Sequence, residues 1–97
     1  MSELNSILLE GRLTNNPIID RGDCTFTVQN VRTHKIGEEW VKDFYDFDVR
    51  VSGKLAEVCS SILKADRGVR VVGRVACRHN GHVYIVGEHV DFKPIQK

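Results

Sequence analysis

The sequence predicts a single, mainly β domain in which five strands follow one another, with one helix between the third and the fourth. The first observation is the segment 44–52, whose odd positions are aromatic or branched while its even positions are mostly polar, as in a strand with one buried face. The second is a change of period after Gly53, where apolar residues recur at helical spacing: Leu55, Val58, Cys59, Ile62 and Leu63. A strand therefore turns directly into a helix, and both pack on one core.

Four further strands complete the predicted domain. Their apolar alternation places them over residues 5–13, 24–32, 69–77 and 82–92. Gly11 is expected to mark a bulge or a sharp bend in the first strand. Asn80 and Gly81 both tolerate the positive φ angles of a type I′ turn, which predicts a tight hairpin between the last two strands. The helix should end between Lys64 and Gly68, where basic residues suit the negative end of a helix dipole.

Two connections are predicted from composition. Residues 15–23 contain Asn, Pro, Asp and Gly, which favour turns, so they should form a loop. Residues 33–43 lose the apolar period and contain several charged side chains, so we expect an exposed connection between the second and third strands. This second connection carries the only tryptophan of the chain, Trp40.

Length and composition narrow the class of protein. A chain of 97 residues is one domain, residues 1–97, and can bury roughly 60–65% of the surface its unfolded form exposes. The net charge of +1 argues neither for nor against a polyanionic partner. Three cysteines without an export signal indicate reduced thiols in the cytoplasm, and no apolar run is long enough to span a membrane. We therefore expect a cytoplasmic protein that does not bind membranes.

The predicted order of elements is that of an OB-fold, a partly open Greek-key barrel that binds oligonucleotides on its second and third strands. Four segments also resemble bacterial single-stranded DNA-binding protein: NSILLEGRLT at 5–14, FDV with GKLAE at 47–57, RGVRVVGR at 67–74 and VYIVGEHVDF at 83–92. The resemblance covers a barrel of about residues 5–94. It implies a nucleoid-associated protein that binds single-stranded DNA without sequence specificity in replication, recombination or repair, without a cofactor and without catalysis.

Binding of this kind requires cations that follow the phosphates and flat rings on which bases stack. A set of basic side chains at strand ends and on predicted open faces is the candidate phosphate track: Arg32, Lys35, Arg50, Lys54, Arg70, Arg74 and Arg78. Each of these side chains taken alone can also be explained as part of the solvated face of an antiparallel sheet. The whole set favours a shared track for a polyanion.

The stacking residues depart from what the resemblance implies. In the resembled family, aromatic side chains recur near the end of strand two, at both ends of strand three and in a long hairpin between strands four and five. Those places hold His34, Asp46, Ser52 and a short turn at 79–82. The candidate rings that remain are His34, Trp40, Phe44, His79 and Tyr84. We therefore expect binding that is weaker, shorter in footprint and more sensitive to salt than is usual for the family.

Two of these assignments have alternatives in the residues themselves. Partial burial is the favoured explanation of Phe44 and Tyr84, whereas Trp40 in a polar segment is harder to explain in that way. Asp46 and Asp48 would repel phosphates unless Arg50 or Arg32 neutralises them.

The resemblance also implies a homo-oligomer, a dimer or a tetramer, and the apolar edge strand at Ser6 to Leu9 is a natural place for a second chain to add. Members of the family usually continue into a flexible tail with an acidic tip that other proteins bind. This sequence ends at Lys97 without an acidic tip. Either the recruitment of partners is absent, or replication and repair proteins contact the barrel surface.

The sequence gives less support to other functions. A zinc site built from Cys77, His79, His82 and His89 lacks a C-x-x-C pair, and no arrangement of nucleophile and base indicates an enzyme. The main alternative is an OB-fold accessory protein of the primosome, similar to primosomal replication protein B, which acts mainly through protein partners. The short turn between the last two strands favours this alternative, while GKLAE and RGVRVVGR favour the single-strand binder. A purely structural oligomerisation module would leave the arginine-rich face unexplained.

Overall fold

The computed structural model describes residues 3–93. The strands are β1 (Ile7–Leu13), β2 (Ile18–Asp20), β3 (Asp23–Ile36), β4 (Glu39–Ser52), β5 (Gly68–Cys77) and β6 (Val83–Phe92), and the helix α1 (Gly53–Ile62) lies between β4 and β5. The end of the predicted barrel at Pro94 lies outside the described residues.

Five of the strands close into a barrel. Their order is β1, β5, β6, β4 and β3, and the barrel closes because β1 also pairs with β3 through Arg12 and Leu13. The pairing of β4 with β6 is parallel, and the other strand pairs are antiparallel. The closed five-stranded barrel with one helix confirms the predicted OB-fold.

The core fills the inside of the barrel and its helix-covered end. Its buried side chains are Leu9, Leu13, Cys24, Phe26, Val28, Val49, Val51, Ala56, Cys59, Leu63, Val69, Val71, Ile85 and Val90. They alternate along the strands, as expected where one face of a sheet is packed. All three cysteines are free, and burial together with the neighbouring Cys24 raises the pKa of Cys59 to about 11.

Gly11 lies where β1 passes from pairing with β5 to pairing with β3. It pairs with Val69 of β5, and the next two residues also pair with β3. A Cβ atom at this position would lie 2.2 Å from the carbonyl oxygen of Gln29, too close for any side chain. The glycine therefore permits the close contact with β3 that closes the barrel, and the bulge or bend expected at Gly11 stays a prediction.

The predicted connection over 33–43 is wrong. β3 and β4 continue through it in unbroken antiparallel register down to the pair Ile36 and Glu39, and only Gly37 and Glu38 form the turn. Gly37 has a φ of +62°, while Glu38 is not among the residues with positive φ, which is the pattern of a type II′ hairpin turn. The polar sequence concealed these strands because neither face of this part of the hairpin enters the core.

Three smaller predictions also require correction. The predicted loop at 15–23 contains the short strand β2, which pairs with β3. The helix ends at Ile62, and its buried stripe is Ala56, Cys59 and Leu63, while Val58 and Ile62 are exposed. At the β5–β6 turn only Gly81 has a positive φ, so the hairpin is confirmed but its type I′ turn is not.

No helix within residues 3–93 is long and apolar enough to cross a membrane. In the same range, no group of three or more His, Cys, Asp or Glu side chains is arranged to hold a metal ion.

Candidate nucleic-acid interface

The β3–β4 hairpin presents one side to the core and the other to solvent. Buried Phe26, Val28 and Val49 show that even positions of β3 and odd positions of β4 face inward. Because strand side chains alternate and the register has no bulge, the odd positions of β3 and the even positions of β4 share the outer face.

The part of this outer face near the hairpin turn is apolar and cationic. We call it the stacking face and define it as Val31, Lys35, Trp40, Lys42 and Phe44. Trp40 is 70% exposed and Phe44 is 59% exposed, so partial burial does not explain Phe44. The Nζ atom of Lys35 lies 5.8 Å from the centre of the Trp40 ring, a distance typical of a cation–π contact. Three of the predicted site residues are therefore brought together.

Two predicted site residues lie on the opposite side of the same hairpin. Arg32 and His34 occupy even positions of β3, so they alternate with the stacking face. His34 Nε2 lies 2.6 Å from the carboxylate of Asp43 on β4, which is also the cross-strand neighbour of Arg32. A single-stranded nucleic acid stacked on Trp40 would therefore reach these two side chains only around the edge of the hairpin.

Nearer the barrel, the outer face is acidic and hydrogen-bonded. Gln29 donates to Asp46 at 3.1 Å, and the Thr27 hydroxyl donates to Asp48 at 3.0 Å. Asp48 also contacts His82 Nε2 at 2.8 Å. The hydrogen bond from His82, together with that from Thr27 and the charges of His82 and Arg78, lowers the pKa of Asp48 despite partial desolvation.

Within residues 3–93, Arg50 forms no ion pair with Asp46 or Asp48, and Arg32 lies on the other side of the hairpin, so neither arginine supplies the neutralisation that the sequence left open. The Arg50 guanidinium forms an ion pair with Asp23 on β3, with Nη2 at 2.7 Å from Oδ2. A hydrogen bond with Ser52, followed by the hydrogen bond and charge of Arg50, lowers the pKa of Asp23. The side chain that contacts Asp48 is His82, which follows the β5–β6 turn.

A pocket of about 210 Å³ lies on the outer face beside the β5–β6 turn. Arg78 and Tyr84 line it together, and the guanidinium carbon of Arg78 lies 5.2 Å from the centre of the Tyr84 ring. Tyr84 is partly buried, as its alternative explanation required, but it still contributes to the pocket surface. His79 is exposed within the turn itself.

The remaining predicted cations lie apart from the stacking face. Val86 of β6 pairs with Arg74 on one side and Arg50 on the other, so these two arginines share a row across the outer sheet. Arg74 Nε lies 3.8 Å from Glu88, and Arg70 pairs with Glu10 at 3.0 Å in a separate groove. Lys54 is exposed at the start of α1, at the opposite end of β4 from the hairpin turn.

Sequence reasoning missed Val31 and Lys42, which complete the stacking face. The available signal was the alternation of Trp40, Lys42 and Phe44, which continues the period of β4 backwards towards Gly37. It also missed the contact between His82 and Asp48, because the two residues are far apart in sequence and meet only through the parallel pairing of β4 with β6.

A relative of known name matches the chain in sequence. It is the single-stranded DNA-binding protein of Treponema pallidum (strain Nichols), which is 31% identical over an alignment of 80 residues; the match covers 77% of this chain and 46% of that protein. The chain thus spans less than half the length of this relative. No protein-family model matches the chain.

Several solved structures share the fold. An SSB of Plasmodium falciparum in complex with ssDNA has a TM-score of 0.79 at 19% identity and covers 97% of this chain and 98% of that one. A small single-stranded DNA-binding protein from Streptomyces coelicolor has a TM-score of 0.79 at 20% identity, with 96% of each chain covered. A deletion mutant of the Thermus aquaticus protein has a TM-score of 0.76 at 19% identity, over 94% of this chain and 51% of that one. The predicted resemblance to single-stranded DNA-binding proteins is confirmed, in sequence by the Treponema protein and in fold by these structures.

Proposed function

We propose that this chain binds single-stranded DNA mainly through the stacking face of the β3–β4 hairpin, without catalysis. The observation that carries the proposal is that Trp40 and Phe44 lie exposed on one face, with Lys35 against the indole ring. The Plasmodium structure is a complex of a protein of this fold with ssDNA. Exposed rings and cations on one strand surface are the two components that single-strand binding requires.

In this proposal, successive bases stack on Phe44 and Trp40 while Lys35 and Lys42 follow the phosphates. Every base has a flat face, and phosphate contacts carry no sequence information, so most of the affinity is independent of sequence. Arg50 and Arg78 extend the cationic path towards the barrel. The ion pair of Arg50 with Asp23, and the acidic pair Asp46 and Asp48 beside the path, keep the affinity low and the footprint short.

We further propose that two copies associate through β1. Residues Ile7–Arg12 pair with β5 on one side of this strand, whereas β3 pairs only with Arg12 and Leu13 on the other side. Within residues 3–93, the backbone of Ile7 to Leu9 on that second side has no strand partner. Leu8 beside it is exposed. A second copy that adds here would extend the sheet and cover an apolar edge.

The experiment that tests the DNA interface compares two neighbouring aromatic residues on opposite faces. Phe44→Ala should weaken binding to oligo-dT by roughly 1–3 kcal/mol, because it removes one stacking platform. Tyr45→Ala, on the inner side of the hairpin, should leave the affinity within about 0.5 kcal/mol of the original. Fluorescence anisotropy with a labelled oligonucleotide measures both. Equal losses in the two variants would contradict the assignment of the outer face as the binding surface.

A further inference from the structure

The pocket beside the β5–β6 turn has the chemistry to select one base. It lies at the barrel end of the outer face, and its lining includes Thr27, Asp48, Arg50, Arg78 and Tyr84. Asp48 and Tyr84 stand next to each other, because each precedes by one residue the parallel pair Val49 and Ile85. The Asp48 carboxylate thus lies beside the Tyr84 ring, and the Arg78 guanidinium lies over that ring.

The ring and the guanidinium favour a base in this pocket. The Arg78 carbon Cζ lies 5.2 Å from the centre of the Tyr84 ring, and guanidinium planes and tyrosine rings both stack on nucleobases. The Asp48 carboxylate disfavours a phosphate at the same place, because the two like charges repel. In a single strand the pairing edge of each base is free to be read by protein groups.

Asp48 retains acceptor positions on both oxygens. Its Oδ1 accepts a hydrogen bond from Thr27 at 3.0 Å, and its Oδ2 is 2.8 Å from His82 Nε2. An ionised carboxylate has about four lone-pair positions and no donor, so each oxygen can accept one more N–H group. The Asp48 side chain is 50% exposed, which leaves the carboxylate accessible from the pocket. Thr27 and His82 also hold the carboxylate in one orientation.

Two parallel acceptors match one base better than the others. The pairing edge of guanine carries two adjacent donors, the ring N1–H and the exocyclic N2 amino group. Adenine, cytosine and thymine each present a single donor group there, flanked by acceptors that a carboxylate repels.

We propose that this pocket takes a guanine base, held by Asp48 through N1–H and N2–H and stacked against Arg78 and Tyr84. The chain should therefore prefer single strands that contain guanine, in addition to the sequence-independent binding by the stacking face. This inference rests on the proposed function, since it assigns one base contact within a single-strand binder.

The test compares three oligonucleotides of equal length. One is oligo-dT, the second carries a few isolated dG residues in a dT background, and the third has deoxyinosine in place of each dG. Deoxyinosine keeps the ring N1–H and O6 but lacks the N2 amino group, so it tests the contact without any change in the protein. Isolated guanines prevent the formation of quadruplexes. Each strand is titrated against the unmodified protein, Asp48→Asn and Asp46→Asn by fluorescence anisotropy.

The unmodified protein should bind the dG strand about tenfold more tightly than oligo-dT, the discrimination expected of one bidentate base contact. Deoxyinosine should reduce this preference to about twofold. Asp48→Asn should also reduce it, because the amide offers a donor where guanine presents its second donor. Asp46→Asn removes an equal charge from the same face outside the pocket, where Asp46 binds Gln29, and should keep the preference.

The titrations distinguish failure of the guanine pocket from failure of the proposed single-strand binding. Binding of all three strands with equal affinity, or a dG preference that survives in Asp48→Asn, would overturn the guanine pocket and leave the single-strand binder standing. Absence of binding to every strand would overturn the proposed function, and this inference with it.

Discussion

At the scale of single residues, the central contact is the cross-strand pair of Lys35 and Trp40. An indole ring that is 70% exposed is a large apolar surface in water, and the lysine above it covers only part of it. Exposed cation–π contacts are worth about 0.5–1 kcal/mol, less than the roughly 1–3 kcal/mol of a base stacked on an aromatic ring. A base can therefore displace the lysine from the ring at a net gain, and the lysine remains close to the phosphates.

Lys42 gives a prediction at the same scale. Because it lies on the stacking face opposite Thr33, Lys42→Ala should remove one phosphate contact and reduce the slope of log K against log salt by about 0.7. Lys64→Ala, an exposed lysine just after α1, serves as the control and should leave the slope unchanged. Titrations at several salt concentrations measure both slopes. An unchanged slope in Lys42→Ala would exclude this lysine from the phosphate path.

The residue types of the site could be predicted from the sequence, but their grouping could not. Trp40, Phe44 and Lys35 were predicted as site residues, and the structure places them on one face. Arg32 and His34 were predicted beside them but lie on the other face, because face assignment requires the register of β3 with β4. That register depends on the turn at Gly37. The sequence did not reveal this turn, because the charged residues around it were interpreted as a longer exposed connection.

At the scale of elements, closure of the barrel depends on the passage of β1 from β5 to β3. This strand contacts β5 along most of its length and then reaches β3 at Arg12 and Leu13. Gly11 sits against the Gln29 backbone at the point of change, where a methyl group would overlap the carbonyl oxygen. The glycine is therefore required by close approach of two backbones, and not by a positive φ angle.

Replacing Gly11 with alanine should destabilise the fold. The added methyl group overlaps Gln29 O, so β1 and β3 must move apart, and overpacking of this kind costs about 1–3 kcal/mol. Gly68→Ala is the matched control, because the nearest neighbour of its methyl group would be Lys93 Cβ at 3.3 Å, a tight contact and not an overlap, so it should cost less than Gly11→Ala. Urea denaturation measures both free energies of unfolding. Equal stability of the two variants would refute the role of Gly11 in closure.

The elements were easier to predict where they bury a face. Strands β1, β5 and β6 and the start of α1 were correctly located, because their apolar periods reflect the core. The outer halves of β3 and β4 lack such a period, since they project beyond the barrel and contact little besides each other. Tyr45 and Phe47 show the same limit, because their alternation predicted burial yet both remain partly exposed.

At the scale of the whole molecule, the net charge of +1 conceals an uneven distribution. Several basic side chains of the barrel form ion pairs with acidic side chains, as Arg50 does with Asp23 and Arg70 with Glu10. Lys35 and Lys42 on the hairpin have no ion pair among residues 3–93. These two lysines of the stacking face are therefore free to contact phosphates, which the total charge could not reveal.

Association through β1 also belongs to this scale. Multi-angle light scattering at tens of micromolar should give at least twice the monomer mass of 11.0 kDa, because the free edge of β1 and the exposed Leu8 would be covered by a second copy. Leu8→Lys, which places a charge at this edge, should shift the mass towards the monomer. A monomer mass for the unmodified chain would contradict the proposed interface.

The most direct test of the central claim is a titration of Trp40 fluorescence with oligo-dT of several lengths at two salt concentrations, with duplex DNA as the control. Trp40 is the only tryptophan in the chain, so the signal reports on the stacking face alone. We predict strong quenching by single strands, weaker quenching at high salt and little change with duplex. An unchanged signal, with no shift in an independent mobility assay, would contradict single-strand binding and favour an accessory protein that acts through protein partners.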